Sequence, residues 1–321
     1  MSAKVLVTGG TGFIGSHLVE ELVEQGFKVE ALVRNDSKAD RLKELGVEII
    51  YGSLTENFYI PPKIDFVIHA AGVTKAVVLN DYAKNIRMTQ SLMGKLKNRE
   101  IKRFLYLSSQ AAAGPGHREG NPRTEDDYPK PLTHYGQSKL IAEEVIQNCN
   151  IPYTILRAPT VYGPGDKDFF RIFKMVRDGL VLEVGRGVQK LSMIYVKNLV
   201  AGIVYILQHE KAKNQTFFIT DDEDYTSSQI YSTLGKIMNR RYLLLKVPFK
   251  MAWLMALAAE RYAQLIKRPS IINCQKVREF THKNWLCSQE KIRQLIGWRS
   301  RIDLHSALQE TLHWYKEKGW I

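Results

Sequence analysis

The first half of the chain alternates short apolar runs with amphipathic segments. The runs are "KVLVTGG", "KVEALVR", "VEIIYG", "DFVIHAAG", "RFLYLSS" and "YTILRAP", and helical patterns such as "SHLVEELVEQG" and "SKADRLKELG" lie between them. Apolar strands joined by helices are typical of a parallel sheet that is covered on both faces. The pattern therefore predicts a doubly wound α/β fold, with its ligand in the crevice at the carboxyl ends of the strands.

The alternation weakens after "RAPTVYGPGDKD", where residues 166–190 are predicted to form helix and loop. The strand or turn "LSMIYV", the helix "NLVAGIVYIL" and the strand "QTFFIT" are predicted to return to the main sheet. From residue 221 the pattern is mostly helical, and Thr226 is a candidate N-cap. We therefore predict a dinucleotide-binding domain over 1–165, to which the chain returns at about 191–220. A smaller, mostly helical substrate lobe is predicted over 166–190 and 221–321.

A glycine-rich turn joins the first strand to the first helix. Within "VLVTGGTGFIGSH", Gly9, Gly12 and Gly15 follow the strand and open the helix, and Gly10, Gly12 and Gly15 also fit GxGxxG. Glycines allow a tight turn and a close approach of the backbone to a pyrophosphate, which the helix N-terminus then binds. The sequence therefore predicts dinucleotide binding here.

Composition adds a strong and uneven positive charge. The 321 residues are 45% hydrophobic, enough for a large core, and 46 Lys and Arg against 33 Asp and Glu give a net charge of +13. Residues 240–321 hold 16 basic and 6 acidic side chains. Such a surface attracts phosphates, acidic substrates, nucleic acid or anionic lipid. Because no nucleic-acid-binding motif accompanies it, we expect no nucleic-acid partner.

Cysteine usage and the first residues indicate a compartment. Cys149, Cys274 and Cys287 are odd in number and lack CxxC or Cys/His spacing, which favours a reducing environment and predicts no metal site. "MSAKVLVTGG" leads directly into a strand without a signal-peptide pattern. We expect a cytoplasmic protein.

The longest apolar stretch, from Met251 to Ala259, is about half the length that spans a bilayer. Lys246, Lys250, Lys267 and Arg268 flank it, which would suit a helix that lies on a membrane surface. A buried or substrate-lining helix is the favoured interpretation, and peripheral membrane contact is the alternative.

Several motifs in order resemble the extended short-chain dehydrogenase/reductase family, also called the NAD-dependent epimerase/dehydratase family. They are "TGGTGFIG", "HAAG", "NIRMTQSL", "LYLSS", "YGQSK", "LRAPTVYGPGD" and "HWYKEKGWI". The resemblance implies a Rossmann fold, a nicotinamide cofactor, a small-molecule substrate and the family's habit of forming homodimers through two helices that flank the sheet. The cofactor-binding residues it implies are Gly9, Gly12, Phe13, Ile14, Gly15, Ala70, Ala71, Gly72, Asn85, Tyr135 and Lys139.

Arg34 departs from the family pattern. The family has an acid at the end of the second strand that binds the adenosine ribose, and this chain has Val33 followed by Arg34. The guanidinium fork can hold a 2′-phosphate, with Lys38 assisting, so NADP(H) is the expected cofactor and NAD(H) the alternative. In that alternative Arg34 stacks on adenine or points into solvent.

Tyr135 and Lys139 are four residues apart on a predicted helix and share a face. A nearby ammonium lowers the pKa of a phenol from about 10, so Tyr135 is the predicted acid/base. By resemblance to the family, Lys139 also holds the nicotinamide ribose, and Ser109 donates a hydrogen bond to the reacting oxygen. Strand alternation points Ser108 the other way.

Two further departures bear on the reaction. Ala113 precedes Gly114 where many sugar-nucleotide epimerases and dehydratases carry a tyrosine, and "YVKN" replaces a common His-Val-Asp-Asp. The pattern is closer to the branch that contains dihydroflavonol reductases and 3β-hydroxysteroid dehydrogenases.

Three functions follow from these features. The favoured one is an NAD(P)-dependent oxidoreductase acting on a ketone or secondary alcohol of a hydrophobic substrate. The first alternative is a nucleotide-sugar epimerase or dehydratase that uses a bound NAD transiently, with Arg186 contacting the diphosphate. The second is a non-catalytic NADP-binding sensor.

Overall fold

The computed structural model describes residues 2–34, 39–76, 79–116, 120–185, 188–266 and 273–321. Its strands are β1 (Lys4–Thr8), β2 (Lys28–Val33), β3 (Glu48–Tyr51), β4 (Phe66–His69), β5 (Arg103–Ser109), β6 (Tyr153–Ala158), β7 (Thr160–Tyr162), β8 (Leu180–Val184), β9 (Lys190–Tyr195), β10 (Gln215–Phe218), β11 (Asp224–Thr226), β12 (Leu243–Val247) and β13 (Asn284–Trp285). Its α-helices are α1 (Phe13–Glu24), α2 (Asp40–Glu44), α3 (Ala83–Leu96), α4 (Gln110–Ala113), α5 (His134–Gln147), α6 (Phe170–Arg177), α7 (Val196–Leu207), α8 (Ser227–Met238), α9 (Phe249–Leu265), α10 (Cys274–Thr281), α11 (Glu290–Ile296) and α12 (Leu304–Glu317).

A seven-stranded parallel sheet forms the centre of the molecule, as the apolar runs predict. Its order is β10-β6-β5-β4-β1-β2-β3. The chain builds outward from β1 to β3 and then crosses back to β4 on the other side of β1. This reversal opens a crevice between the carboxyl ends of β1 and β4, where doubly wound sheets bind their ligands. The predicted doubly wound fold is confirmed.

Helices cover both faces of this sheet. On one face, Leu18 of α1, Ile203 of α7 and Ile292 of α11 lie in a common buried cluster with the sheet. On the other face, Met93 of α3 and Ile146 of α5 belong to a second cluster. Because both faces are covered, the central strands are buried along most of their length rather than at alternate positions.

The second lobe differs from its predicted arrangement in two places. "QTFFIT" contains β10, which joins the edge of the main sheet beside β6. "LSMIYV" contains most of β9, which instead pairs with β7, β11 and β13 outside the main sheet. Residues 166–190 also contain β8, which pairs with β12. The expectations of a main-sheet position for "LSMIYV" and of helix and loop alone over 166–190 are therefore wrong.

Both strands pair with segments far along the chain. For β9 the apolar run reveals a strand but not its partners, whereas β8 was not predicted as a strand. The predicted N-cap at Thr226 is confirmed: its hydroxyl accepts from the Gln229 amide, and Gln229 completes a capping box with the Thr226 backbone.

The favoured interpretation of the longest apolar stretch, a buried or substrate-lining helix, is met on one face of α9 as far as burial is concerned, and substrate lining stays a prediction. Ala252 and Ala256 are buried, whereas Leu254 and Leu265 are exposed. One face alone thus packs against the lobe. Within the described residues, no helix combines the length and the apolar character needed to cross a membrane. Of the cations that flank the apolar stretch in the sequence, the pair at 267–268 lies outside the described residues.

Candidate active site

The glycine turn is as tight as its sequence suggests. Gly9 has a φ of +82°, and a Cβ there would lie 2.6 Å from the Ala71 nitrogen. A Cβ on Gly15 would lie 2.0 Å from the Gly9 carbonyl oxygen. These two glycines therefore let the end of β1, the end of β4 and the start of α1 approach one another at the crevice.

The start of α1 is free to bind an anion. Gly12 is the N-cap and has no side-chain capping bond, and no acid lies in the first turn. The first amides and the positive end of the helix dipole therefore face the crevice, and no side chain among the described residues caps them. Phe13 packs edge-on against His17, 5.9 Å between ring centroids, and Ile14 packs against the core, so each offers its backbone to a ligand rather than its side chain. The turn fits a dinucleotide pyrophosphate.

Arg34 follows β2 at the same end of the sheet. Its side chain is exposed, while Val33 before it is buried. An exposed guanidinium beside the glycine turn is free to contact a ribose phosphate. Lys38, the predicted helper, lies outside the described residues.

The wall opposite the glycine turn is formed by Ala70, Ala71 and Gly72, which follow β4. Asn85 holds this segment in place: its Oδ1 accepts from the Val73 amide at 2.7 Å, and its Nδ2 donates to the Val73 carbonyl at 3.1 Å. Nδ2 also donates to Ser138 Oγ at 3.0 Å. The amide of Asn85 thus bonds to the wall and to α5, so Asn85 positions the wall, and its predicted cofactor contact stays a prediction.

Ser109 and Tyr135 meet at the end of β5. The Thr133 hydroxyl accepts from the Gly136 amide and caps α5, which places Tyr135 in its first turn. The Ser109 side chain lies close enough to the Tyr135 phenol to lower its pKa, and the Tyr135 ring lies 6.0 Å from that of Tyr82. Ser108 points to the opposite side of the sheet and donates to Glu143. The structure thus brings Ser109, and not Ser108, to Tyr135.

Lys139 lies one turn beyond Tyr135 and is buried. Its Nζ donates to the Leu107 carbonyl at 2.6 Å and lies 4.1 Å from the centre of the Tyr106 ring. Burial lowers the pKa of Lys139 to about 7, against an opposing effect of Glu143. The charged and neutral forms of Lys139 are therefore similarly populated near neutral pH.

The expected lowering of the Tyr135 pKa is not what this geometry produces. Burial raises the pKa of Tyr135 to about 12, and the nearby Ser109 side chain opposes that rise only in part. Lys139 directs its Nζ to the Leu107 carbonyl, so its charge does not offset the burial. In this arrangement Tyr135 holds its proton at neutral pH, as an acid must.

A buried ion pair beneath the site was missed by the sequence analysis. Glu143 accepts from Arg157 Nη2 at 2.7 Å and from its Nε at 3.2 Å, and both side chains are almost fully buried. The signal was present, because Glu143 follows Lys139 by four residues on the inward face of α5. The pair supports β5 and α5 from behind.

Glu279 of α10 brings a second carboxylate to the site. Its charge raises the pKa values of both Tyr135 and Tyr82, and the Thr133 side chain lies close enough to lower the pKa of Glu279. Burial in turn raises the pKa of Glu279. No sequence pattern connects α10 to α5, so only the fold reveals that the substrate lobe delivers an acid here.

Comparison with known proteins agrees with the fold and the motifs. Residues 5–219 match the sequence model of the NAD dependent epimerase/dehydratase family. The chain is 25% identical to a ceramide reductase of Caulobacter vibrioides, over 99% of this chain and 96% of the relative. It is 30% identical to a UDP-glucose 4-epimerase of Vibrio cholerae, over 77% of this chain and 80% of the relative. The crystal structure of UDP-glucuronic acid 4-epimerase from Bacillus cereus in complex with NAD superposes with a TM-score of 0.77, at 23% identity over 98% and 99% of the two chains.

Proposed function

The chain belongs to the NAD dependent epimerase/dehydratase family, and we propose that within it the protein is an oxidoreductase that interconverts a ketone and a secondary alcohol on a hydrophobic substrate. The feature that supports this most directly is the position of the buried Tyr135 phenol beside the Ser109 side chain at the crevice, where burial raises the pKa of Tyr135. A carbonyl oxygen placed between the two hydroxyls would receive the Tyr135 proton while Ser109 stabilises its developing charge. A nicotinamide cofactor supplies or accepts the hydride when bound.

The positions that depart from sugar-nucleotide enzymes support this choice. Ala113 is fully buried with Phe218 and Cys287, so it presents nothing to a sugar hydroxyl. In "YVKN", Asn198 donates to Asp221 Oδ1 at 2.7 Å and the Tyr195 amide donates to the same carboxylate, so both are engaged in the lobe's own structure. Arg186, invoked for the diphosphate of the alternative, lies outside the described residues. Among the relatives, a ceramide reductase bears a name that refers to a lipid substrate.

The reaction class is tested by following net cofactor consumption. Purified protein is given NADPH or NADH with a long-chain ketone, a steroid ketone or UDP-glucose. We expect oxidation of the reduced cofactor in proportion to alcohol formed from a ketone, and no reaction of UDP-glucose. Epimerised UDP-glucose with no net change in a cofactor that stays bound through gel filtration would establish the alternative. A protein that binds NADPH but turns over none of the three would favour the sensor.

The cofactor proposed is NADP(H), because Arg34 is free to pair with a 2′-phosphate. A charge-assisted bond of this kind is worth about 1.5–3 kcal/mol, so Arg34→Ala should weaken NADPH binding by about 10- to 100-fold. The affinity for NADH, which lacks the phosphate, should change by less than about threefold. Calorimetric titration of both cofactors measures this, with exposed Arg299→Ala as the matched control. Equal losses for both cofactors would assign Arg34 to the adenine, and no loss would assign it to solvent.

A cytoplasmic location and a homodimeric assembly are also part of the proposal. Cys149, Cys274 and Cys287 are all unpaired, which supports a reducing, cytoplasmic location. Homodimerisation through two helices that flank the sheet is proposed from the family's habit.

A further inference from the structure

The α9 helix presents an apolar face to solvent as well as to the protein. Ala252, Ala256 and Ala263 are buried. The opposite face exposes five large apolar side chains at helical spacing, namely Met251 (56% exposed), Leu254 (65%), Met255 (55%), Tyr262 (64%) and Leu265 (81%). Helices that are apolar on two opposite sides are typically covered on both, and a large exposed apolar patch marks an interaction site.

The neighbouring two-stranded sheet extends this surface. Leu180 pairs with Leu243 and Leu182 pairs with Leu245, and all four side chains are exposed. Val184 and Val247 lie two residues farther along each strand, and so on the same sheet face. They pack against the cluster that Ala252 and Ala256 of α9 form with Val277 of α10. The four leucines and α9 therefore lie on one side of the lobe. We call the leucines and the five exposed α9 residues the apolar face.

The exposed charges of α9 and β12 are all positive. Lys246, Lys250 and Arg261 are exposed next to the apolar face. The one acid in the sequence from 243 to 266 is Glu260, and its carboxylate accepts from the Cys274 backbone at 2.9 Å, which turns it toward the protein. An apolar surface with a cationic rim is the pattern of a helix that lies in the headgroup region of an anionic bilayer.

We propose that the apolar face docks this protein onto the surface of an anionic lipid bilayer. The side chains of α9 and the four leucines would enter the boundary between headgroups and acyl chains, and Lys246, Lys250 and Arg261 would contact lipid phosphates. A second copy of the chain is the poorer occupant, because it would bring the same positive rims together, and lysine is depleted in protein interfaces. This docking goes beyond the proposed function and does not depend on it.

Docking would also set the position of the site. Helix α10 packs beside α9, and its Gln275 Oε1 accepts from the His134 amide at 2.8 Å in the first turn of α5. Glu279, one turn farther along α10, lies near Tyr135. One helix thus separates the apolar face from the acid/base residue, so the docked enzyme would open its site close to the bilayer.

The test is flotation of the full chain with vesicles of phosphatidylcholine alone or of phosphatidylcholine with phosphatidylglycerol. The variant L254E/L265E places two charges on the apolar face. The matched control is Y59E/Y128E, which adds the same charges at sites of similar exposure, 62% and 79%, that do not belong to the apolar face. We expect the wild type and the control to float with the anionic vesicles, and L254E/L265E to lose at least about tenfold in partitioning. NADPH affinity, measured on all three, should be unchanged and reports on folding.

Three results would overturn the proposal. One is a wild type that floats with neither vesicle at low salt, and another is equal flotation of L254E/L265E and the wild type. The third is sedimentation of the vesicle-free wild type as a dimer that L254E/L265E converts to a monomer, because the face would then be an interface between copies. None of these bears on ketone reduction, which is measured without lipid.

Discussion

The variant Tyr135→Phe is expected to lower kcat for ketone reduction by about 10²- to 10⁴-fold, the usual contribution of a positioned general acid. The substitution removes one oxygen and keeps the ring that packs beside Tyr82 at 6.0 Å between centroids. The fold and the cofactor crevice should therefore be retained. Initial rates of NADPH oxidation with a saturating ketone measure the effect, and NADPH titration checks that the crevice is intact.

The pKa of Tyr135 also sets how alcohol oxidation depends on pH. Burial raises the pKa of Tyr135 to about 12, so the phenol is protonated at neutral pH and serves reduction. Alcohol oxidation needs the phenolate as base, and its kcat/KM should therefore rise steadily with pH above neutrality. Tyr135→Phe should abolish this rise as well as the reduction. An exposed control, Tyr59→Phe, should preserve both; if Tyr135→Phe kept wild-type turnover, the proton would come from another group.

Local patterns predicted the parts of the site that are local in structure. The glycine turn, the direction of Ser109 and the shared face of Tyr135 and Lys139 each depend on a few neighbouring residues, and periodicity is enough to place them. The pKa of Tyr135 was misjudged because it depends on burial and on where Lys139 directs its Nζ, which spacing along a helix does not determine.

The remaining differences all involve contacts between distant segments. Glu279 reaches Tyr135 because α10 packs near the start of α5, and β9 leaves the main sheet because β7, β11 and β13 pair with it. A buried or substrate-lining position is the expectation for α9, whose sequence is apolar. The exposed face could not be foreseen, because an apolar sequence does not say how many faces of a helix the protein covers. In these three cases the sequence specifies the element while its neighbours are fixed only by the complete fold, whereas β8 was missed as an element.

The variant Glu143→Gln is expected to reduce the free energy of unfolding by about 3–5 kcal/mol, the cost of leaving one member of a buried ion pair without its partner. The glutamine side chain would keep the shape of the glutamate but remove the charge that Arg157 pairs with. The Glu143 carboxylate also accepts a hydrogen bond from Ser108 at the end of β5. The weakened contacts are therefore the ones that support the strand carrying Ser109. Urea denaturation followed by circular dichroism measures the change.

The matched control for this prediction is Glu144→Gln, the next residue of α5, whose side chain is exposed. It removes the same charge from the same helix and should change stability by less than about 0.5 kcal/mol. Replacing the whole polar group with apolar residues, as in Ser108→Ala/Glu143→Leu/Arg157→Met, should recover most of the loss, because no charge then lacks a partner. If the triple variant were as unstable as Glu143→Gln, the shape of the cluster would matter more than its charges. If Glu143→Gln and Glu144→Gln were equally stable, the ion pair would contribute nothing to the support of β5 and α5.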